Sequence, residues 1–377
     1  MHSRSQSSHA SVRLRSSDGR GQTALRFTRR GFVDIAAACA VSAAGLLAGC
    51  TGGAGGAASS QNASGTELGK EPESPKNYEQ LSNTLFVFDT VVTLQACCSQ
   101  ETMDAASERC SYFESIFSRT IETSDIGRIN AAEGTPVEVA AETADIITKA
   151  LDYCERTEGR FDITIGAVSM LWDFKEGVVP AKKDLAEAIK HIDYRNVQVN
   201  GTTITLLDPL AKLDLGGIAK GYIADDLCAY FISQGCDSGL VNLGGNTKTI
   251  GLKADGSAWR VGIQDPNGAA GSVVAAVDSQ DTSVVTSGLY ERQFEKNGKK
   301  YWHILDPKTG YPVQTDLVSA SIVSGASIDG DAFATSLFLM GHDDALAWIE
   351  GMADLEGMLV HEDGTITQTD GCDADLL

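Results

Sequence analysis

The sequence is short of positive charge, of aromatic rings and of long apolar runs. Only 30 Lys and Arg stand against 51 Asp and Glu, a formal net charge of -21, and 7% of residues are aromatic. Seven of the arginines (Arg4, Arg13, Arg15, Arg20, Arg26, Arg29, Arg30) precede residue 31. The first 34 residues hold only Asp18 and Asp34, so the remainder carries 23 basic and 49 acidic groups. So acidic a body repels nucleic acid and anionic lipid, and it holds an anionic substrate only through a local cation from the protein or a metal. With 42% hydrophobic and 21% charged residues, the composition excludes a disordered polyelectrolyte and a multi-span membrane protein. No internal repeat of about 20–50 residues is visible, which excludes solenoids and propellers. Beyond Cys39 and Cys50 seven cysteines remain, an odd number without metal-type spacing. Most read as packed thiols, with one unassigned oxidised pair as the alternative in an oxidising compartment.

What is present begins with an address. Thr28-Arg29-Arg30-Gly31-Phe32-Val33-Asp34 leads into an uncharged, small-residue stretch from Ile35 to Gly49 that ends Leu47-Ala48-Gly49-Cys50. A twin-arginine pair, an apolar stretch too short for a comfortable membrane span and a small-residue cleavage site describe an export signal over residues 1–49. The ending resembles a lipobox, in which Cys50 becomes the acylated N-terminus of a bacterial lipoprotein held on the extracytoplasmic face of the cell membrane. The alternative is a buried helix with an accidental cysteine. Residues 50–78 are rich in Gly, Ala, Ser and Glu and read as a flexible tether, leaving residues 79–377 as the folded body.

Within the body, the β-branched and aromatic run Leu85 to Leu94 predicts one strand, followed by a helix over 101–117. Helical spacing recurs at Ala144, Ile147, Leu151 and Cys154, and at Ala219, Ile223, Leu227 and Tyr230. Asn200-Gly201 and Asn297-Gly298 mark hairpins, and later strands are expected near Trp259, Val273, Ser283, Val318 and Met358. Helices and antiparallel hairpins without regular βαβ alternation make the class α+β.

Four segments carry chemistry. Lys212-Leu213-Asp214-Leu215-Gly216-Gly217-Ile218-Ala219-Lys220-Gly221 places a carboxylate, two glycines and a lysine where a short strand enters a helix, a geometry that admits a phosphate. It is neither a P-loop nor a Rossmann turn, and an ordinary strand-to-helix turn is the alternative. Val241-Asn242-Leu243-Gly244-Gly245-Asn246 offers amides to a ring or ribose, or is a tight strand end. His303, one of six histidines, precedes the turn Asp306-Pro307-Lys308-Thr309-Gly310 and is an acid/base candidate. Asp331 and Thr335 stand four apart on a helix, where their oxygens share a face and suit a hard cation, or serve as helix cap and filler.

Together these segments, with Phe88-Asp89-Thr90, Ser118-Arg119-Thr120, Ser124 to Asn130, Phe161 to Gly166 and Leu171-Trp172-Asp173-Phe174, resemble the FAD:protein FMN transferase (ApbE) family. The resemblance implies one T-fold-related catalytic body of two intimately packed subdomains, with FAD in the cleft between them and Mg²⁺ on its pyrophosphate. It implies metal ligands at the Gly217 backbone, Asp331 and Thr335, and FAD contacts at Asp214, Lys220, Trp172, Asp173, Phe174, His303, Ile304 and Thr120. Thr120 and Asp173 depart from the aromatic residue and glycine common in the family. The implied reaction moves FMN from FAD to a Ser or Thr hydroxyl of an acceptor protein and releases AMP, with His303 taking the proton. FAD hydrolysis to FMN and AMP, and a non-catalytic flavin-binding lipoprotein, are the competing readings. Ser324-Gly325-Ala326-Ser327-Ile328, similar to a flavin-acceptor motif, reads instead as strand end and metal loop.

Overall fold

A computed structural model describes residues 78–377 apart from Ala270. The export signal, Cys50 and the tether lie outside the described residues. The framework is an eight-stranded sheet whose spatial order follows the chain: β1 (Gln80–Val87), β2 (Thr90–Cys97), β3 (Gly239–Leu243), β4 (Asn246–Ile250), β5 (Ser283–Gly288), β6 (Leu317–Ser324), β7 (Leu355–His361) and β8 (Ile366–Gln368). Every neighbouring pair is antiparallel. The single strand expected over Leu85 to Leu94 is a hairpin, turned at Phe88 and Asp89 with φ of 57° and 58°. Two consecutive positive φ values make the mirror-image turn that matches strand twist, and Phe88 N donates to Glu114 Oε1 at 2.8 Å to hold it there.

Alternate residues send their side chains to opposite faces. On one face Val92, Leu94, Ala320, Ile322 and Leu359 pack against α1 (Gln100–Phe117), α2 (Ala141–Arg156), α3 (Ala219–Ser233), α4 (Ser327–Met340) and α5 (His342–Glu350) in the main core. On the other, Val284, Met358 and Val360 meet a three-stranded sheet built from Trp259–Gln264, Val273–Ser279 and Ala374–Leu376. A bulge between Leu317 and Ser319 reverses the phase in β6, so Leu317 and Ala320 face the same core. Helix α4 is buried along most of its length because the sheet lies on one side and α3 on another.

The long connection from β2 to β3 carries α1 to α3, and the connection from β5 to β6 carries the hairpin Gln293–Lys296/Lys299–Trp302. These insertions meet in a satellite core of Val168, Trp172, Leu185 and Leu305. The expected hairpins at Asn200-Gly201 and Asn297-Gly298 form, as do the three expected helices and the five later strands. The strand expected before the Gly216-Gly217 turn is only a single parallel bridge, Ile165 to Lys212, because its backbone is taken up by Asn130 instead. All seven cysteines of the described region are free thiols, six of them buried. Burial pushes Cys110, Cys228 and Cys236 up to about 12, as expected of inert packed thiols.

Candidate active site at the sheet end

Three turns converge at one end of the sheet: Phe88-Asp89, Gly244-Gly245 and the segment after β5. The β3–β4 turn has φ of 58° at Gly244 and 100° at Gly245, and a Cβ on Gly244 would sit 2.2 Å from Thr90 Oγ1. Only glycine allows both the turn and the contact. Asp89 at the hairpin tip lies 2.7 Å from Lys175 Nζ and 3.7 Å from Arg292 Nη2, which brings Arg292 over this end.

Against the same end, the first turns of α3 and α4 cross at backbone contact. A Cβ on Gly221 would meet Ser327 O at 2.5 Å and Asp331 Cβ at 2.8 Å, so a glycine is required for the crossing. Gly221 N donates to Asp331 Oδ2 at 2.9 Å, and Lys220 Nζ stands 3.9 Å from Asp331 Oδ1. Lys220 Nζ also donates to Asn246 Oδ1 at 3.1 Å, while Asn246 Nδ2 is buried with no partner. The start of α4 is held by Asp225 of α3, whose two oxygens accept from Ser327 N at 2.8 Å and Ile328 N at 3.0 Å. Lys248 also donates to that carboxylate.

Asp214 is fixed by a different set of contacts. Its backbone N donates to Ile163 O at 2.8 Å, and Asn130 donates to Leu213 O and accepts from Leu213 N. Its side chain accepts from Gly216 N at 2.9 Å and Ser169 Oγ at 2.6 Å, and Arg119 Nε lies 3.1 Å away. Gly217, next in the turn, packs on the Phe161 ring, and a Cβ there would lie 3.7 Å from Thr335 Oγ1.

The structure therefore brings Gly217, Lys220, Asp331 and Thr335 together. His303 joins them: its backbone N donates to Arg292 O at 3.1 Å, and the ring is partly buried with Nδ1 enclosed and unpartnered. Burial first, then the charges of Arg292 and Lys220, push His303 down to about 3, with Asp214 acting in the opposite direction. The imidazole is therefore neutral near pH 7, and the two cations disfavour its protonation.

The other expected positions lie around this cluster. Trp172 is buried in the satellite core, donates from Nε1 to Gly310 O at 3.0 Å and stacks on Phe174 with centroids 5.6 Å apart. Asp173 accepts from Lys175 N and Glu176 N, each at 2.9 Å, and so closes a turn. Ile304 is buried in the main core, and its backbone oxygen accepts from Val313 N at 3.0 Å. Thr120 is exposed beyond α1, beside Arg119. Ser324 and Ser327 are buried at the end of β6 and the start of α4, so the acceptor-like segment is strand end and helix start.

Four residues absent from the expected set belong to the site: Arg119, Ser169, Asn246 and Arg292. Asn246 lay within a glycine cluster and Arg119 within a quoted stretch, but neither carries a local signal of charge pairing. Asp331, Thr335 and the Gly217 backbone offer oxygen donors only, and Asp331, with Oδ2 taken by Gly221 N, has Lys220 Nζ 3.9 Å from Oδ1. That combination fits a hard divalent cation.

An α+β sheet with paired helix starts, an oxygen-donor set, a lysine and a neutral histidine at its end defines a phosphate-handling site. The model of the ApbE family matches residues 88–359, and the chain belongs to that family. A FAD:protein FMN transferase of Treponema pallidum is 35% identical over 276 residues, covering 68% of this chain and 76% of the relative. One from Klebsiella pneumoniae is 34% identical over 253 residues, covering 66% and 78%. Among solved structures, the ApbE protein of Thermotoga maritima matches with a TM-score of 0.71 and 32% identity over 78% of this chain and 97% of its own. The flavin transferase ApbE of Vibrio cholerae matches with a TM-score of 0.69 and 25% identity over 78% and 97%.

Proposed function

We propose that the protein transfers the FMN moiety of FAD to a Ser or Thr hydroxyl of an acceptor protein, with Mg²⁺ required and AMP released. The observation that carries this reading is the meeting of Asp331, Thr335 and Gly217 with Lys220 and the unprotonated His303. Asp331, Thr335 and the Gly217 backbone would hold Mg²⁺, which when bound supplies charge neutralisation and Lewis acidity to a pyrophosphate. Lys220 adds a point charge beside the same phosphates, and the amides at the start of α3 add partial positive charge. Asp214, held by Ser169 and Arg119, fixes the Gly216-Gly217 turn.

The acceptor hydroxyl attacks the FMN-side phosphorus, the bond to the AMP oxygen breaks, and His303 takes the hydroxyl proton. An incoming pyrophosphate offsets Arg292 and Lys220, and so moves His303 back toward its ordinary range and strengthens it as a base. Incubation with FAD, Mg²⁺ and an acceptor carrying a Ser/Thr flavinylation sequence tests the reading. A covalently fluorescent acceptor and stoichiometric AMP are expected; neither product appearing would overturn it. AMP release at full rate without acceptor would replace it with FAD hydrolysis.

We also propose that the protein acts outside the cytoplasm, held to the membrane. The twin-arginine segment and the Leu47-Ala48-Gly49-Cys50 ending support a lipid anchor on the extracytoplasmic membrane face. Palmitate labelling of cells that is lost in Cys50→Ser checks it; equal labelling of both forms would refute it.

A further inference from the structure

Lysines that the proposed chemistry leaves unused gather around two grooves beside the site. One, of about 730 Å³, is lined by Val179, Lys182, Leu185 and Tyr301; the other, of about 540 Å³, lies among Arg160, Lys308, Pro312 and Leu339. They share Lys299, Thr309 and Tyr311 and so are contiguous. Lys299 Nζ lies 5.3 Å from the Tyr301 ring centre and 6.0 Å from that of Tyr311. Among the described residues, no carboxylate lies within ion-pair distance of Lys182, Lys299 or Lys308, whereas the nearby Lys175 and Lys190 are paired with Asp89 and Glu187. The one acid on the lining, Asp306, is engaged within its own turn, accepting from Lys308 N at 2.8 Å and Thr309 Oγ1 at 3.1 Å. Arg160 is the one lining cation with a partner, Glu158 at 3.0 Å.

The grooves are tied through the chain to the reacting end. Strand Lys299–Trp302 runs directly into His303, and Val313 N donates to Ile304 O at 3.0 Å, so the loop that lines both grooves also carries the histidine. At the other wall, Arg160 precedes Phe161, whose ring packs on Gly217.

We propose that these grooves seat the acceptor polypeptide and favour one with acidic residues flanking the hydroxyl that is modified; the inference rests on the FMN-transfer reading. An acidic segment is repelled by much of so acidic a surface and meets three unpaired lysines together here, Lys182, Lys299 and Lys308, whereas a basic segment is repelled by them. Charges placed this way fix register and steer encounter. Tyr301 and Tyr311 supply apolar walls for the intervening residues.

The test uses the purified protein and a fluorescein-labelled synthetic peptide with a central Thr flanked by Asp, beside versions flanked by Asn or Lys. At low salt the Asp peptide should bind at least ~10-fold tighter than the Lys peptide and weaken as salt screens the charges. Lys182→Glu with Lys299→Glu should weaken it ~10-fold, and the Gln pair by an intermediate amount, while AMP release from FAD without peptide and the melting temperature stay at wild-type values. Equal binding of Asp and Lys peptides, indifference to charge reversal, competitive displacement by FAD, or preference for phosphatidylglycerol vesicles over the peptide would each overturn the assignment. Absence of both AMP and flavin-labelled peptide when FAD, Mg²⁺ and the Thr peptide are supplied together counts against FMN transfer and leaves the peptide-binding result to be read by itself.

Discussion

Gly221 and Asp331, 110 residues apart, are joined by a hydrogen bond of 2.9 Å from the Gly221 N–H to Asp331 Oδ2. The bond forms only because Gly221 has no side chain: a Cβ would lie 2.5 Å from Ser327 O, which is backbone and unable to swing aside. Gly221→Ala should therefore push α3 and α4 apart, cost about 1–3 kcal/mol of stability and lower AMP release at least ~10-fold. Gly325→Ala, where a Cβ meets nothing within 4 Å, should change stability by less than about 0.5 kcal/mol. Urea denaturation of both variants checks the contrast, and equal losses would dismiss the packing argument.

Removal of divalent metal with EDTA should abolish AMP release, and added Mg²⁺ should restore it. Asp331→Asn keeps volume and an acceptor for Gly221 N but loses the charge, and activity should fall at least ~100-fold with no rescue by Mg²⁺. Thr335→Val should raise the Mg²⁺ concentration for half-maximal activity about tenfold while leaving the fold intact. A Mg²⁺ titration of each variant supplies the readout, and unchanged titrations would remove these residues from the metal set.

The lowering of His303 to about 3 has a definite sign for stability. Its folded value lies below the unfolded value of about 6.5, so its contribution is complete above about pH 6.5 and is lost as pH falls toward 3. His303→Gln should remove that part of the acid sensitivity in urea melts at pH 7, 5.5 and 4. In the wild-type enzyme, kcat/KM should show no inflection near pH 6.5 from the free-enzyme imidazole. The kcat profile should inflect at higher pH than any acid limb of kcat/KM, because bound FAD offsets the neighbouring cations. A free-enzyme inflection at 6.5 that disappears in His303→Gln would contradict the buried, neutral ring.

Arg119 and Asp214 are both partly exposed, with Nε and Oδ2 3.1 Å apart. Arg119→Ala should thus cost less than about 1 kcal/mol of stability. Its larger effect is expected on the KM for FAD, because Asp214 positions the Gly216-Gly217 turn. Equilibrium melts and steady-state kinetics separate the two, and a large loss of stability with unchanged KM would make the pair structural only.

Among the cysteines of the described region, thiol labelling of the native protein should modify at most Cys97, the one that is not fully buried. All seven should react after denaturation, counted by mass spectrometry under reducing preparation.

Periodicity and turn chemistry made most elements legible, because the signals are local: helical spacing in Ala219 to Tyr230, Asn-Gly at two hairpins, and Asp331 and Thr335 one turn apart. The first hairpin was hidden because Phe88 and Asp89 carry positive φ without the usual Asn-Gly signature, so an apolar run continues through the turn. Trp172 carries no local signal of its partners: only the fold packs its ring against Phe174 and ties its N–H to Gly310.

By itself the sequence determined the α+β class and the residue types able to handle a phosphate and a hard cation. Composition and short-range spacing are sufficient for those. Tertiary structure alone decided that Gly221 admits Asp331, that Arg119 reaches Asp214, that Asn246 receives Lys220, and that His303 sits neutral beside Arg292 and Lys220. Each of these depends on chain segments far apart in sequence approaching within bonding distance, and on the loss of water that their approach enforces.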